Sequence, residues 1–136
     1  MNPQLLELTL LNHRKRRQLT IDFDGEYTLN EHHTTRHDTL DNYKEVTGNI
    51  HDIRDLQLLF DHLGSRQRSL ALRIEGLRSQ VHQAALTAKQ RSQGAPTHET
   101  WDRDIEYAVW TTAVNTLDVL SQALADGGFH AHHSAD

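Results

Sequence analysis

The run NEHHTTRHDTLDN, residues 30–42, sets three histidines and two aspartates within ten residues. Imidazole and carboxylate are donors that hold zinc and other divalent metals. His33, His37 and Asp41 stand at successive i+4 steps, so on a helix they line one face as three ligands. That face lies opposite the apolar positions Val46, Ile53 and Phe60 of the same wheel, which puts a bound ion in water with nothing behind its ligands to orient them. Solvated polar residues at a helix start explain the run more simply. No cofactor is expected, and His33, His37 and Asp41 are the residues that would hold a metal if one bound.

Further along, His51-Asp52 in HDIRD resembles the paired His-Asp step of metal-dependent phosphohydrolases of the HD type. The resemblance covers two residues. It implies additional ligands from an upstream histidine, His33 or His37, and a downstream aspartate, Asp104 or Asp118. No GxSxG, glycine-rich phosphate loop, HExxH or cysteine occurs, so no catalytic residue is assigned.

Arg14, Lys15, Arg16 and Arg17 form the one compact basic cluster, in NHRKRRQ. Such a loop can grip phosphates, but no aromatic residues interleave to stack on bases. Charge is segregated along the chain. Residues 1–36 carry five Lys/Arg against five Asp/Glu, 37–64 two against six, 65–94 six against one, and 95–136 one against seven. In the basic segment Arg66, Arg73 and Arg91 flank one side of an apolar seam and Arg78 and Lys89 the other. They face acidic helices or form a groove for an anionic ligand or nucleotide, with Arg73 and Arg78 at its centre.

The elements that must position these groups follow from periodicity. Leu6, Leu8, Leu10 and then Leu19, Ile21, Phe23 alternate at period two, which predicts two strands joined by the basic turn. Asp24-Gly25 and EYTL add a second turn and a short third strand. Leu5, Leu8 and Leu11 also fit a helix over residues 4–18, the competing reading. From about Asp38 the spacing becomes helical: Leu40, Tyr43, Val46, Ile50, Ile53, Gln57 and Phe60 make a heptad seam ending near Gly64, a C-cap. Leu70, Ile74, Leu77, Val81, Ala84 and Ala88 make a second seam, broken by Gly94 and Pro96. A third helix starts at Thr97 and runs to about Asp126. It has two apolar seams, Trp101, Ile105, Ala108, Thr112 and Val119 on one side and Tyr107, Trp110, Val114, Leu117 and Leu124 on the other.

The resulting expectation is an α+β, mostly helical, single domain over residues 1–136. A small antiparallel hairpin or meander (1–34) precedes a three-helix, up-down-up bundle of long helices (37–126), with a His-rich tail (127–136). A hydrophobic content of 36% suits such an elongated bundle with a narrow core. The charges of the N-terminal segment follow its apolar run, the reverse of a secretory leader, and no run approaches 18 apolar residues. A cytoplasmic protein is expected, without a membrane partner. A helix with two apolar seams needs cover on both, and a homodimer through Tyr107, Trp110, Val114 and Leu117 supplies it. The function expected is that of a non-enzymatic interaction protein, a regulator, inhibitor or accessory subunit with a protein partner. A nucleic-acid or nucleotide-binding module and a metal-dependent phosphohydrolase are the alternatives.

Overall fold

The computed structural model describes residues 3–12, 15–34 and 40–126. Four strands, β1 (Gln4–Asn12), β2 (Lys15–Asp22), β3 (Glu26–Thr34) and β4 (Leu40–Asn49), form an antiparallel meander in sequence order. A short helix α1 (Ile53–Leu63) and a 3-10 turn (Gly64–Arg66) lead into α2 (Gln67–Gly94); a second 3-10 turn (Thr97–Glu99) leads into α3 (Thr100–Ala125).

The period-two alternation of β1 to β3 gives the sheet one apolar face. Leu6, Ile21, Tyr27 and Gly48 lie in one cross-strand row and Leu8, Leu19, Leu29 and Val46 in the next. The opposite face carries rows such as Glu7, Thr20, Thr28 and Thr47, so the helices all cover one side. α1 packs on β4 and α2 on β1, and α2 and α3 form an antiparallel hairpin. Leu56, Leu59, Phe60 and Leu63 of α1, Leu70, Ile74 and Val81 of α2, and Ala113, Leu117 and Leu120 of α3 join the sheet in one core.

The α+β, mostly helical class is as expected, but the bundle of three long helices is not. Residues 40–49 form the fourth strand in place of the first half of a long helix, and only α2 and α3 are long. The heptad spacing of Val46 and Ile50 also fits alternation, with Val46 and Gly48 in the inward rows of β4. Val46, Thr47, Gly48 and Asn49 are all weak helix formers, and β3 would otherwise be left as an open sheet edge. The remaining helix, α1, buries Leu56, Leu59, Phe60 and Leu63, whereas Ile53, assigned to the seam, is exposed. The sheet accordingly continues to residue 49, past the expected boundary at residue 34.

One junction fixes α1 and α3 to the end of the sheet. The β2–β3 turn closes through Asp22, whose Oδ1 accepts from the amides of Asp24 (3.0 Å) and Glu26 (2.9 Å), with Gly25 at φ +90°. Gly25 O accepts from Ile50 N at 2.9 Å as the chain leaves β4. Tyr27 Oη donates to Asp55 O at 2.7 Å, and Asp55 Oδ2 accepts from Asn49 N at 3.0 Å. This contact needs a glycine at position 48: a Cβ there would lie 2.8 Å from Tyr27 Oη and 2.9 Å from Asp55 Cβ. Burial, and then the carboxylates of Asp55 and Asp52, push the Tyr27 phenol up to about 12.

Gly48→Ala should therefore cost about 1–3 kcal/mol of stability by urea unfolding, since neither contacted group can swing away. The raised phenol also makes a pH prediction. Tyr27 holds its proton more tightly folded than unfolded, so its contribution is complete below pH 10 and is lost as pH rises from 10 through 12. Alkaline unfolding followed by circular dichroism should show this loss, and Tyr27→Phe should remove that part of the pH dependence while lowering stability at neutral pH.

Candidate interaction surface of the helical hairpin

At 1.5 Å per residue the 28-residue α2 is about 42 Å long, more than the sheet beneath it can cover. The core ends at Val81 on α2 and resumes on α3 at Trp110, which is partly buried with its ring on Phe23 (centroids 4.9 Å apart, 52° between planes). Past these residues α2 and α3 pack chiefly on each other. Ala84 and Ala88 let the backbones approach, and Ala88 is buried. Ion pairs line the seam, Arg91 Nη1 to Glu106 Oε1 and Arg103 Nη1 to Glu106 Oε2, each 3.0 Å, and His82 Nε2 lies 3.7 Å from Asp118 Oδ1. Ser92 also bonds Asp104. The hydrogen bond from Arg103, and then that from Arg91, hold the Glu106 carboxyl below its usual range against some desolvation.

Each long helix has a second, uncharged heptad seam outside the shared core. On α2 it runs Leu72, Gly76, Ser79, Gln83, Leu86 and Gln90, all exposed. On α3 it runs Trp101, Ile105, Ala108, Thr112, Asn115 and Val119 at the same 4-3-4-3-4 spacing, and its last member, Val119, is already half-buried against the core. Trp101 is 76% exposed, Leu72 70%, Leu86 48% and Ile105 44%. A Cβ at Gly76 would meet nothing within 4 Å. A shallow groove of about 570 Å³ lies along the hairpin, lined by α2 and α3 alone, with Leu86, Tyr107 and Val114 among its walls.

The four residues expected at a dimer interface are placed mainly within the chain's own packing. Leu117 is fully buried, Trp110 packs at a tilt against Phe23, and Val114 packs against the core. Tyr107 and Val114 also line the groove. The α3 seam free to meet another molecule is thus the one that begins at Trp101, with an α2 counterpart that sequence reasoning missed although its heptad spacing was visible.

The basic residues do not act as one cluster. Lys15 and Arg17 stand in β2 at alternate positions, on the helix-covered side of the sheet, and Arg16 points to the other. Arg14 lies outside the described residues. Arg17 Nε donates to Glu31 Oε2 at 3.0 Å and its Nη1 to His62 O at 3.0 Å, while Lys15 Nζ lies 3.6 Å from Glu31 Oε1. Arg73 and Arg78 are both exposed on α2, but five residues on a helix turn through about 140°, so they do not converge on one ligand.

The metal-ligand candidates are on strands. His33 of β3 pairs in register with Asp41 of β4, which replaces the i+4 helical spacing. His37 and the side chains of His33 and Asp41 lie outside the described residues. Among the described residues no group of three His, Cys, Asp or Glu side chains could hold a metal. His51 and Asp52 each have another role. Asp52 is the N-cap of α1, its Oδ1 accepting from the amides of Arg54 (2.9 Å) and Asp55 (3.2 Å). His51 Nε2 lies 3.2 Å from Thr116 Oγ1, and the buried Thr116 hydroxyl donates to Phe23 O at 2.7 Å. With its proton spent there, the hydroxyl accepts from His51 Nε2–H. Asp104 and Asp118, the other ligands considered, lie along α3 beside Ser92 and His82.

Comparison with protein-family models, with curated proteins and with solved structures found no match for this chain. No helix among the described residues is long and apolar enough to cross a membrane.

The capping role of Asp52 separates it from a metal ligand by one substitution. Asp52→Ala should destabilise the fold by about 0.5–2 kcal/mol, and Asp52→Asn, which caps equally well but gives up the carboxylate charge, should stay near wild type in thermal unfolding.

Proposed function

We propose that this is a non-enzymatic interaction protein of the cytoplasm, acting as a regulator, inhibitor or accessory subunit by stoichiometric occupation of a partner's surface. The working surface is the outward face of the α2–α3 hairpin, and the first partner is a second copy of the chain. The observation that carries this reading is the pair of uncharged heptad seams, Leu72 to Gln90 and Trp101 to Val119, on helices whose other seams are already used. A two-helix hairpin needs one seam per helix; two per helix is the pattern of a larger helical assembly.

Charge is consistent with a second copy. α2 carries five Lys/Arg against one Asp/Glu and α3 one against four, so a neighbouring hairpin that sets α2 beside α3 brings opposite charges together. Each exposed ion pair is worth only about 0.2–1 kcal/mol, so the charges select the pairing and the apolar seam supplies most of the affinity.

Light scattering on the purified protein should give a mass near twice 15.6 kDa. Ile105→Glu combined with Leu86→Glu, both exposed in the single chain, should shift it to monomer with the circular dichroism spectrum retained. A monomeric wild type, or a dimer indifferent to both substitutions, would remove the seams as the interface.

A further inference from the structure

A pocket of about 320 Å³ opens where the β1–β2 end of the sheet meets the α1–α2 link, remote from the hairpin seams. Three cationic side chains from two elements line it: Lys15 and Arg17 from β2, and Arg66 from the 3-10 turn. Leu10 and Leu63 supply apolar wall, and Ser65 adds a hydroxyl beside Arg66. We propose that this pocket binds the phosphate group of a small phosphate monoester.

The charge balance is the first argument. Among the described residues three cations line the pocket and one carboxylate, Glu31, pairs with two of them, which leaves about two positive charges, the complement of a phosphate monoester at neutral pH. Glu31 also works as a positioning residue. It holds Arg17 through Nε at 3.0 Å while His62 O holds Nη1, so the guanidinium is fixed in place with its remaining N–H groups available to a ligand.

Backbone geometry shapes the pocket wall. Gly64 turns the chain at φ +52°, so that the C-terminus of α1 and the start of the helical run of α2 both meet there. Two of the carbonyls that end α1 already have donors: Phe60 O accepts from Gly64 N and Gln67 Nε2, and His62 O accepts from Arg17. The Gln67 N–H at the start of α2 is likewise paired, with Gly64 O, so the attraction for an anion rests on the cationic side chains.

The walls decide the ligand class. The volume exceeds a bare phosphate and lies near the lower end of the roughly 300–1,000 Å³ of small-molecule sites, which leaves room for a few carbons against Leu10 and Leu63. No aromatic side chain lines the pocket to stack a base, so a compact phosphorylated metabolite fits better than a nucleotide.

The test is an amide NMR titration of the full chain with glycerol 3-phosphate and with inorganic phosphate, at constant ionic strength against chloride. Saturable shifts centred on Ser65 and Arg66 are expected, with glycerol 3-phosphate binding at least as tightly as inorganic phosphate. Arg66→Gln and Lys15→Gln, which sit on different elements, should each weaken binding about tenfold, and Arg68→Gln, exposed on the next turn, should change it less than twofold. Shifts no different from those in chloride, or equal losses in all three variants, would reduce the site to a diffuse positive field and overturn the proposal. Inorganic phosphate binding without glycerol 3-phosphate binding would overturn the monoester assignment. The dimer-breaking substitutions on α2 and α3 lie outside the pocket, so the two readings fail independently.

Discussion

The mismatch between the reach of the helices and the area of the sheet governs this molecule. Four strands of eight to ten residues, about 4.8 Å apart, give a sheet under 20 Å wide and about 30 Å long, while α2 and α3 run about 40 Å. The sheet's apolar rows can bury only the half of the hairpin next to them. The core from Leu70 to Val81 and from Trp110 to Leu120 is the result, and so is the bare half beyond it. The hairpin is held firmly at one end, because the buried Thr116 hydroxyl ties α3 to Phe23 O and to His51, and Trp110 packs against Phe23. An arm anchored this way can present a surface without the fold depending on what meets it.

How much of this the residues reveal depends on how far each signal reaches along the chain. β1 to β3 were legible because Leu6 to Leu10 and Leu19 to Phe23 alternate beside an Asp-Gly turn, and the Gly64 and Gly94 helix ends were legible from local chemistry. β4 was not. Val46 and Ile50 suit both periods, and the pairing that selects strand over helix is with β3, which for Val46 means Leu29, seventeen residues upstream. Tertiary context overrides weak local preference in such a segment. The glycine that α1 needs at position 48 was a visible hint, since glycine is a poor residue for a helix interior.

The candidate sites show the same limit from another direction. The basic run from Arg14 to Arg17 reads as one patch only if it is a turn. As a strand it splits, with Lys15 and Arg17 on one face and Arg16 on the other, and the third cation of the pocket, Arg66, comes from forty-nine residues past Arg17. No spacing rule brings them together; the antiparallel order of the sheet and the placement of α1 do. His51 and Asp52 run the other way: adjacent in sequence and suggestive of chemistry, they point to separate tasks, one capping α1 and one meeting Thr116. Adjacent residues at a strand-to-helix joint share no face, which is why a two-residue motif there carries so little.

The segregation of charge follows from the hairpin. α2 is basic and α3 acidic, and within the chain the two are joined by the Arg91–Glu106 ion pair and, nine residues back along α2, by the contact of His82 with Asp118. Both pairs are largely exposed, so they add little stability, but they oppose a slip of one helix along the other, since a shift by one turn would part them. Such a register lock matters most where no core lies underneath to set it. It keeps the seams headed by Leu72 and Trp101 aligned on a segment that apolar packing alone would leave free to slide.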